Sequence, residues 1–429
     1  MSHHRSILLT FLAISFFTAC TSPSSRQRSE RHSPSPSSLP LSNTTSEFNL
    51  PASNADQIDS NPATPIPSPS SLTPTSSSAD PSFPTHSLSP SPYPLSPLPS
   101  SSSERRSPSP LPGTPAPPHP SSTTTLLFTG VIVPARCVQA AIDERGDPHY
   151  PYVEVREIIL EADLAVGTLN ATISDYPPRT GCVPTYVLVG GSENSDALAN
   201  AGFDMMSVAT NHIKNCGISN CGDRAFFDTL ANLRRVGIHP VGAAENLAEA
   251  MQPVVVTLNG VRFGIVSLGQ LEPLAFATED TPGIAVLNPE NLRAAITAAR
   301  QVSDVVIAMP HWGPEDSPLP NWIQRDLAGV AVDAGADLVV GNHTHVVQAV
   351  TEIDGVLVFY GLGNFVFDQA WARDHQQGVI LQVYFEGDRY SGYEFIPTHV
   401  DGDGRVHLAG EDEAAEILAR IEAVSQQLP

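Results

Sequence analysis

From residue 124 onward, short apolar runs alternate with stretches of helical spacing, and three of those runs end beside a histidine. Strands covered on both faces read as continuous hydrophobic runs, and their alternation with helices predicts an α/β core of mostly parallel strands. Strand patterns fall at 126–133, 164–166, 204–209, 304–309, 337–340, 346–351, 356–360 and 378–385. Helical patterns fall at 153–161, 196–201, 225–236, 245–250, 292–299, 322–334 and 411–425. The runs 254–258 and 263–268, joined around Asn259-Gly260, have the turn chemistry of a hairpin. The late strands suggest an antiparallel supplement.

The histidines sit where α/β proteins place ligands, just past strand ends. Thr210-Asn211-His212 follows one run, and Pro310-His311-Trp312-Gly313, with Glu315 close behind, follows a second. Gly341-Asn342-His343-Thr344-His345 follows a third, and the run at 356–360 ends in Gly361-Leu362-Gly363-Asn364. Alternate side chains of an extended chain point the same way, so a strand would bring His343 and His345 to one point. Neutral imidazoles converging there suit a divalent metal. A single histidine of this kind is more often a hydrogen-bonded loop residue. Three strand ends each offering one argue for a site.

Composition divides the chain of 429 residues into three parts. Residues 1–20 carry His3, His4 and Arg5, an apolar run at 7–17 and then Thr18-Ala19-Cys20, the order of a secretory signal. The alternative is a short anchor that stays uncleaved. Residues 21–123 are Ser, Pro and Thr with scattered charges; they cannot bury enough surface to offset their ordering entropy and read as a disordered stalk. Residues 124–429 hold the folded domain. The net charge of −23, with Lys214 the only lysine, argues against a nucleic-acid partner, which needs clustered positive charge. Cys137, Cys182, Cys216 and Cys221 form an even set in an oxidising compartment. The local pair Cys216–Cys221 could close a small loop and leave Cys137 to meet Cys182; a zinc site is the competing reading.

Several segments carry a family resemblance. GFDMMSVATNHIKNCG, GAAENLAEA, HWGPEDSPLP, ADLVVGNHTHVVQ and FYGLGNFVFDQ, in this order, resemble the bacterial capsule-synthesis CapA (PgsA-like) family. That family is similar to calcineurin-like metallophosphoesterases, so the resemblance implies a four-layer α/β/β/α sandwich with a two-metal site on strand-end loops. It implies metal ligands at Asn211, His311, His343 and His345, and an acid or phosphate-contacting role for His212. Arg136, Asn170, Glu315, Gly363 and Asn364 fall on motif positions. The family's Gly-Asp pair is Gly130-Val131 here, its Gly-Asn-Leu-Glu is Gly167-Thr168-Leu169-Asn170, and a third carboxylate position is Asn215. Carboxylates bridge and neutralise paired ions, which Val cannot do and Asn does weakly. Asp175 is the nearby carboxylate that could substitute.

The resemblance implies an exported protein of capsule or envelope-polymer metabolism, the polymer being poly-γ-glutamate in one reading. The cofactor expected is a divalent Mn, Zn or Fe ion, with one, two or no ions bound. Its partners would be the polymer or its synthesis machinery, and the membrane through a lipid. A non-catalytic scaffold of the same fold, or a phosphatase on small extracellular substrates, are the competing readings. The segment Phe17-Thr18-Ala19-Cys20 resembles a bacterial lipoprotein signal, making Cys20 the acylated residue. Labelling with a lipid analogue should therefore vanish in a Cys20→Ala variant; label that persists would rule Cys20 out.

Overall fold

The computed structural model describes residues 123–215 and 222–428. The signal with Cys20, nearly all of the stalk, and Cys216 and Cys221 lie outside the described residues. In chain order, β1 (Thr123–Ile132), α1 (Cys137–Arg145), β2 (Leu164–Leu169), α2 (Glu193–Ala201), β3 (Met205–Ser207), α3 (Arg224–Arg235) and β4 (His239–Val241) build one half. A second half follows with β5 (Val254–Leu258), β6 (Val261–Gly269), α4 (Pro289–Val302), β7 (Val305–His311), α5 (Trp322–Asp333), β8 (Leu338–Val340), β9 (Val350–Ile353) and β10 (Val356–Phe359). The chain then returns through β11 (Asn364–Val366), β12 (Gln377–Glu386), β13 (Arg389–Val400), β14 (Val406–Leu408) and α6 (Glu411–Ser425).

The first sheet runs β14-β13-β12-β1-β2-β3-β4, with β11 paired to the end of β1; the second runs β9-β10-β8-β7-β6-β5. β1 to β4 are mutually parallel, and β12 to β14 add antiparallel strands on the other side. In the second sheet β6, β7, β8 and β10 are parallel, and the edges are antiparallel. The β5–β6 hairpin turns at Asn259-Gly260, both at positive φ, as its sequence predicts.

Side-chain alternation explains the layering. Leu126 and Phe128 of β1 face one way and pack with Leu164, Val166, Phe263, Ile265, Val305 and Ile307, so the two sheets share one core. Leu127 faces the other way, and so does Ile132 beyond an irregularity after Phe128 that resets the alternation; both join Val138 of α1, Leu198 of α2 and Phe226 of α3. On the far side, Val306 and Ala308 pack on Leu292 and Ile296 of α4 and Leu327 of α5. These three cores define a four-layer α/β/β/α sandwich.

Two expectations are corrected, and some elements appear that the sequence pattern did not predict. The run at 346–351 pairs as a strand only from Val350, because residues before it pass beneath the glycine loop, with Gln348 N–H donating to Gly361 O at 2.9 Å. Helix α1, with its weak amphipathic pattern, and β13, whose face is largely exposed, carried too little periodicity to be expected. The helix expected at 153–161 is confined to Arg156–Leu160, preceded by a 3₁₀ turn at Tyr150–Tyr152.

His407 of β14 stands between two carboxylates, its Nδ1 2.8 Å from Glu154 Oε2 and its Nε2 2.7 Å from Asp401 Oδ2. Burial pushes its pKa down, but the hydrogen bonds and charges of Asp401 and Glu154 outweigh that and raise it. Arg405 also pairs with Glu154. A raised folded pKa contributes stability that is full below the unfolded value of about 6.5 and fades as pH rises through the folded one. The melting temperature lost in His407→Gln should accordingly be larger at pH 6 than at pH 9. An equal loss at both would contradict this account.

Candidate metal centre

The parallel strands of both sheets end on one rim. β7 ends at His311, β8 leads through Gly341 into His343, β3 leads into Asn211 and His212, and β2 leads into Asn170. Gly341 is required there: a Cβ would run into the Trp312 indole and the Tyr360 carbonyl. Trp312 is itself fully buried, donates Nε1–H to Tyr360 O at 2.9 Å, and so fixes the loop after His311.

The expected extended geometry of the HxH pair does not hold. His343 has φ 109° and His345 φ 60°, so the pair lies on a left-handed loop past β8. Non-glycine residues held this way cost about 1–3 kcal/mol each, and such outliers gather at functional sites. Arg136 (φ 52°) and Asp316 (φ 62°) are two more on the same rim. The histidines meet through this turn rather than through strand pleating.

His311 Nε2 lies 2.9 Å from Asn211 Oδ1 and 3.2 Å from His343 Nδ1. Burial, followed by the neighbouring histidines, holds His311 well below the usual imidazole range. The same causes lower His343 to about 3. Both rings are therefore neutral near pH 7, and each has one N–H to give. Donors about 3 Å apart are what adjacent ligands of one small divalent ion present when bonds are ~2.1 Å. Two imidazole nitrogens and an amide oxygen are also ligands that Zn, Mn or Fe accept. These residues fit an ion.

His345 is oriented by Asn364. The Asn364 amide donates from Nδ2 to Gln369 Oε1 and to the His375 carbonyl, so its Oδ1 is the atom 2.8 Å from His345 Nδ1. The His345 proton then sits on Nδ1, and Nε2 is a bare acceptor. Burial lowers this ring to about 4, against the opposing pull of Asn364. Glu315, half-exposed, places Oε1 3.9 Å from Nε2 of both His343 and His345.

His212 lies beside Asn211, with Nδ1 2.7 Å from Asn215 Oδ1 and its backbone N–H donating to Asn170 Oδ1 at 3.0 Å. Burial lowers its pKa, partly offset by the Asn215 hydrogen bond and the Glu272 charge. Asn170 is fully buried, spends its oxygen on this backbone contact, and leaves Nδ2 without a protein partner. Val131 is fully buried, with its N–H bonded to Gly363 O. Asp175 hydrogen-bonds Ser192 through both carboxylate oxygens and is not among the cleft's lining residues.

The rim opens into a cleft of about 750 Å³, lined by His212, Glu315, His345, Tyr186, Trp371 and His375 among others. One wall is the segment containing Cys182 and Thr185, tied to the start of α1 by a Cys137–Cys182 disulfide. Arg136 bonds the Thr185 carbonyl at 2.9 Å and clamps Asp368, which also accepts from Cys137 N–H at 3.0 Å. Arg136 is thus a neutralised wall residue. Sequence reasoning missed Asp316 and His375, which pair at 2.6 Å on the opposite wall. No pattern marks them, because His375 lies in a short turn between strands. Non-reducing peptide mapping should recover Cys137 joined to Cys182; either cysteine found as a free thiol, or joined to another partner, would contradict this wall.

PGA biosynthesis protein CapA of Bacillus subtilis is 29% identical over 276 residues, covering 64% of this chain and 70% of that one. Capsule biosynthesis protein CapA of Bacillus anthracis is 28% identical over 285 residues, covering 64% of this chain and 67% of that one. A solved NAD nucleotidase of Haemophilus influenzae aligns over 70% of this chain and 63% of that one at 13% identity, with a TM-score of 0.42. The family model of the bacterial capsule synthesis protein PGA_cap matches residues 125–369, more than half of the chain, and the chain belongs to that family.

Proposed function

We propose that this protein acts in the synthesis or processing of a capsule or envelope polymer, as an exported, lipid-tethered, metal-dependent hydrolase. The observation that carries the chemistry is the meeting of Asn211 Oδ1, His311 Nε2 and His343 Nδ1 behind the His212 and His345 wall of the cleft. The polymer context rests on the family and on the two relatives, named for PGA and capsule biosynthesis. Poly-γ-glutamate is the substrate class that context favours. Export and tethering rest on the sequence of residues 1–20.

Asn211, His311 and His343 would hold the ion. A divalent ion there supplies positive charge that polarises a substrate oxygen and acidifies water. The rest falls to the chain. His212 stands on the cleft wall beside Asn211 and is the group placed to exchange a proton with bound substrate. Tyr186 and Trp371, both largely exposed, give the cleft an apolar rim on which a substrate can rest.

A second reading, a scaffold of the same fold without catalysis, is favoured by Val131 and Asn170. One brings methyl groups and the other a committed amide where paired ions would need carboxylates. Elemental analysis of the purified full chain separates the two. The hydrolase reading expects a divalent ion that His311→Ala removes while the fold persists by circular dichroism. A protein that takes up no ion after loading with Mn or Zn would leave only the scaffold.

A further inference from the structure

Two large rings border the cleft and stand mostly in water. Tyr186 belongs to the wall tied by the disulfide, and Trp371 lies against His375 on the other wall. Rings left exposed around a cavity mark a surface that a ligand can cover. The charges between them have one sign. Arg136, the only arginine or lysine lining the cleft, is spent on Asp368 and the Thr185 carbonyl. Glu315 and Asp316 also line it, and neither has an arginine or lysine partner among the described residues. Asp316 is held in place at a backbone cost, with φ 62° and its N–H donating to Thr344 O at 3.0 Å.

A carboxylate and a ring beside a cavity are by themselves ordinary. His375 joins the two. Its Nε2 lies 2.6 Å from Asp316 Oδ1, and its ring meets Trp371 edge to face with centroids 5.7 Å apart. An ionised carboxylate only accepts, so Nε2 carries a proton and Nδ1 of the neutral ring is left an acceptor. The His375 side chain is 7% exposed, borders the cleft, and leaves that Nδ1 without a partner. Ring, acceptor and carboxylate in one row suit a group that carries positive charge, donates N–H and accepts a π-face. A primary ammonium does all three. An anion does none of them, and a bare metal ion would leave the rings idle.

We propose that Trp371, His375 and Asp316 form a subsite for a primary ammonium group, the amino end of a polymer or peptide chain, beside the strand-end rim. This names the substrate chemistry of the cleft in the function proposed above, and it rests on that cleft being where substrate binds. An anionic polymer carries such a group at one end only, and Glu315 and Asp316 repel its body. The cleft therefore takes chain ends in preference to chain middles.

The test is isothermal titration calorimetry of the full chain with two pairs of probes, tri-γ-glutamate and triglycine, each with its amino end free or acetylated. In both pairs the free end should bind about tenfold or more tightly than the acetylated one, the range of one charge-assisted hydrogen bond. Asp316→Asn should abolish that preference and keep the loop, because asparagine tolerates positive φ and its oxygen still accepts from His375. Trp371→Ala should weaken the free-ended probes by about threefold. Melting curves check that both variants fold. Equal affinity for free and acetylated ends in both pairs would overturn the subsite, as would a preference undiminished in Asp316→Asn, or no binding of any probe. A preference shown by triglycine alone would keep the subsite and remove poly-γ-glutamate as the substrate class. Tri-γ-glutamate bound with indifference to acetylation would do the reverse.

Discussion

Three lone-pair-bearing atoms are held within 3.2 Å of their neighbours behind the cleft, with two neutral rings supplying too few protons to satisfy them all. Left to itself such a cluster opens. It persists because each atom is carried by a different strand end, and the strands belong to two sheets locked by one apolar layer. An unmet polar group costs about 1–3 kcal/mol, and each left-handed histidine costs a similar amount. Full burial of a large apolar side chain returns about 1.5–3 kcal/mol. A handful of residues such as Phe128, Phe263, Ile265 and Ile307 therefore offset the strain, provided the sheets keep their register.

The fold and half of the centre were legible because both follow from local pattern. Apolar runs buried on both faces identify strands without knowledge of their partners, and residues just past those runs identify the rim. His212, His311, His343 and His345 were picked out as strand-end residues that way, whereas the ligand role of Asn211 came only with the family resemblance. Other features were invisible because they depend on contacts across long stretches of chain. The proton position on His345 is set by Asn364, which is in turn oriented by the carbonyl of His375. Nothing in GNHTH announces two residues at positive φ. Asn170 looked like a weakened ligand, and only its contact with the His212 backbone shows that its oxygen is engaged elsewhere.

The cleft wall depends on a small buried knot beside that rim. Arg136 and Asp368 are both nearly inaccessible, so removing either would leave an uncompensated charge in the interior. The same aspartate receives the first N–H of α1, and the adjoining Cys137 carries the disulfide to the opposite side of the wall. Charge pairing, helix start and covalent link thus coincide within two residues. Because the guanidinium is spent on Asp368 and a carbonyl, it offers no free charge to an anionic ligand, while Glu315 and Asp316 add negative charge nearby. An anionic polymer would need cations in the cleft to be held there.

β1 also gives the domain a direction. Its last residues reach the rim of the centre, whereas its first residue, Thr123, pairs with Glu386 at the far end of the sheet. The strand is ten residues long, so its ends lie roughly 30 Å apart at about 3.3 Å per step. Any attachment made upstream of Thr123 grips the domain by its base. The chain thus enters this domain at the end of the first sheet remote from the rim, and the loops that carry the histidines are free of that entry point.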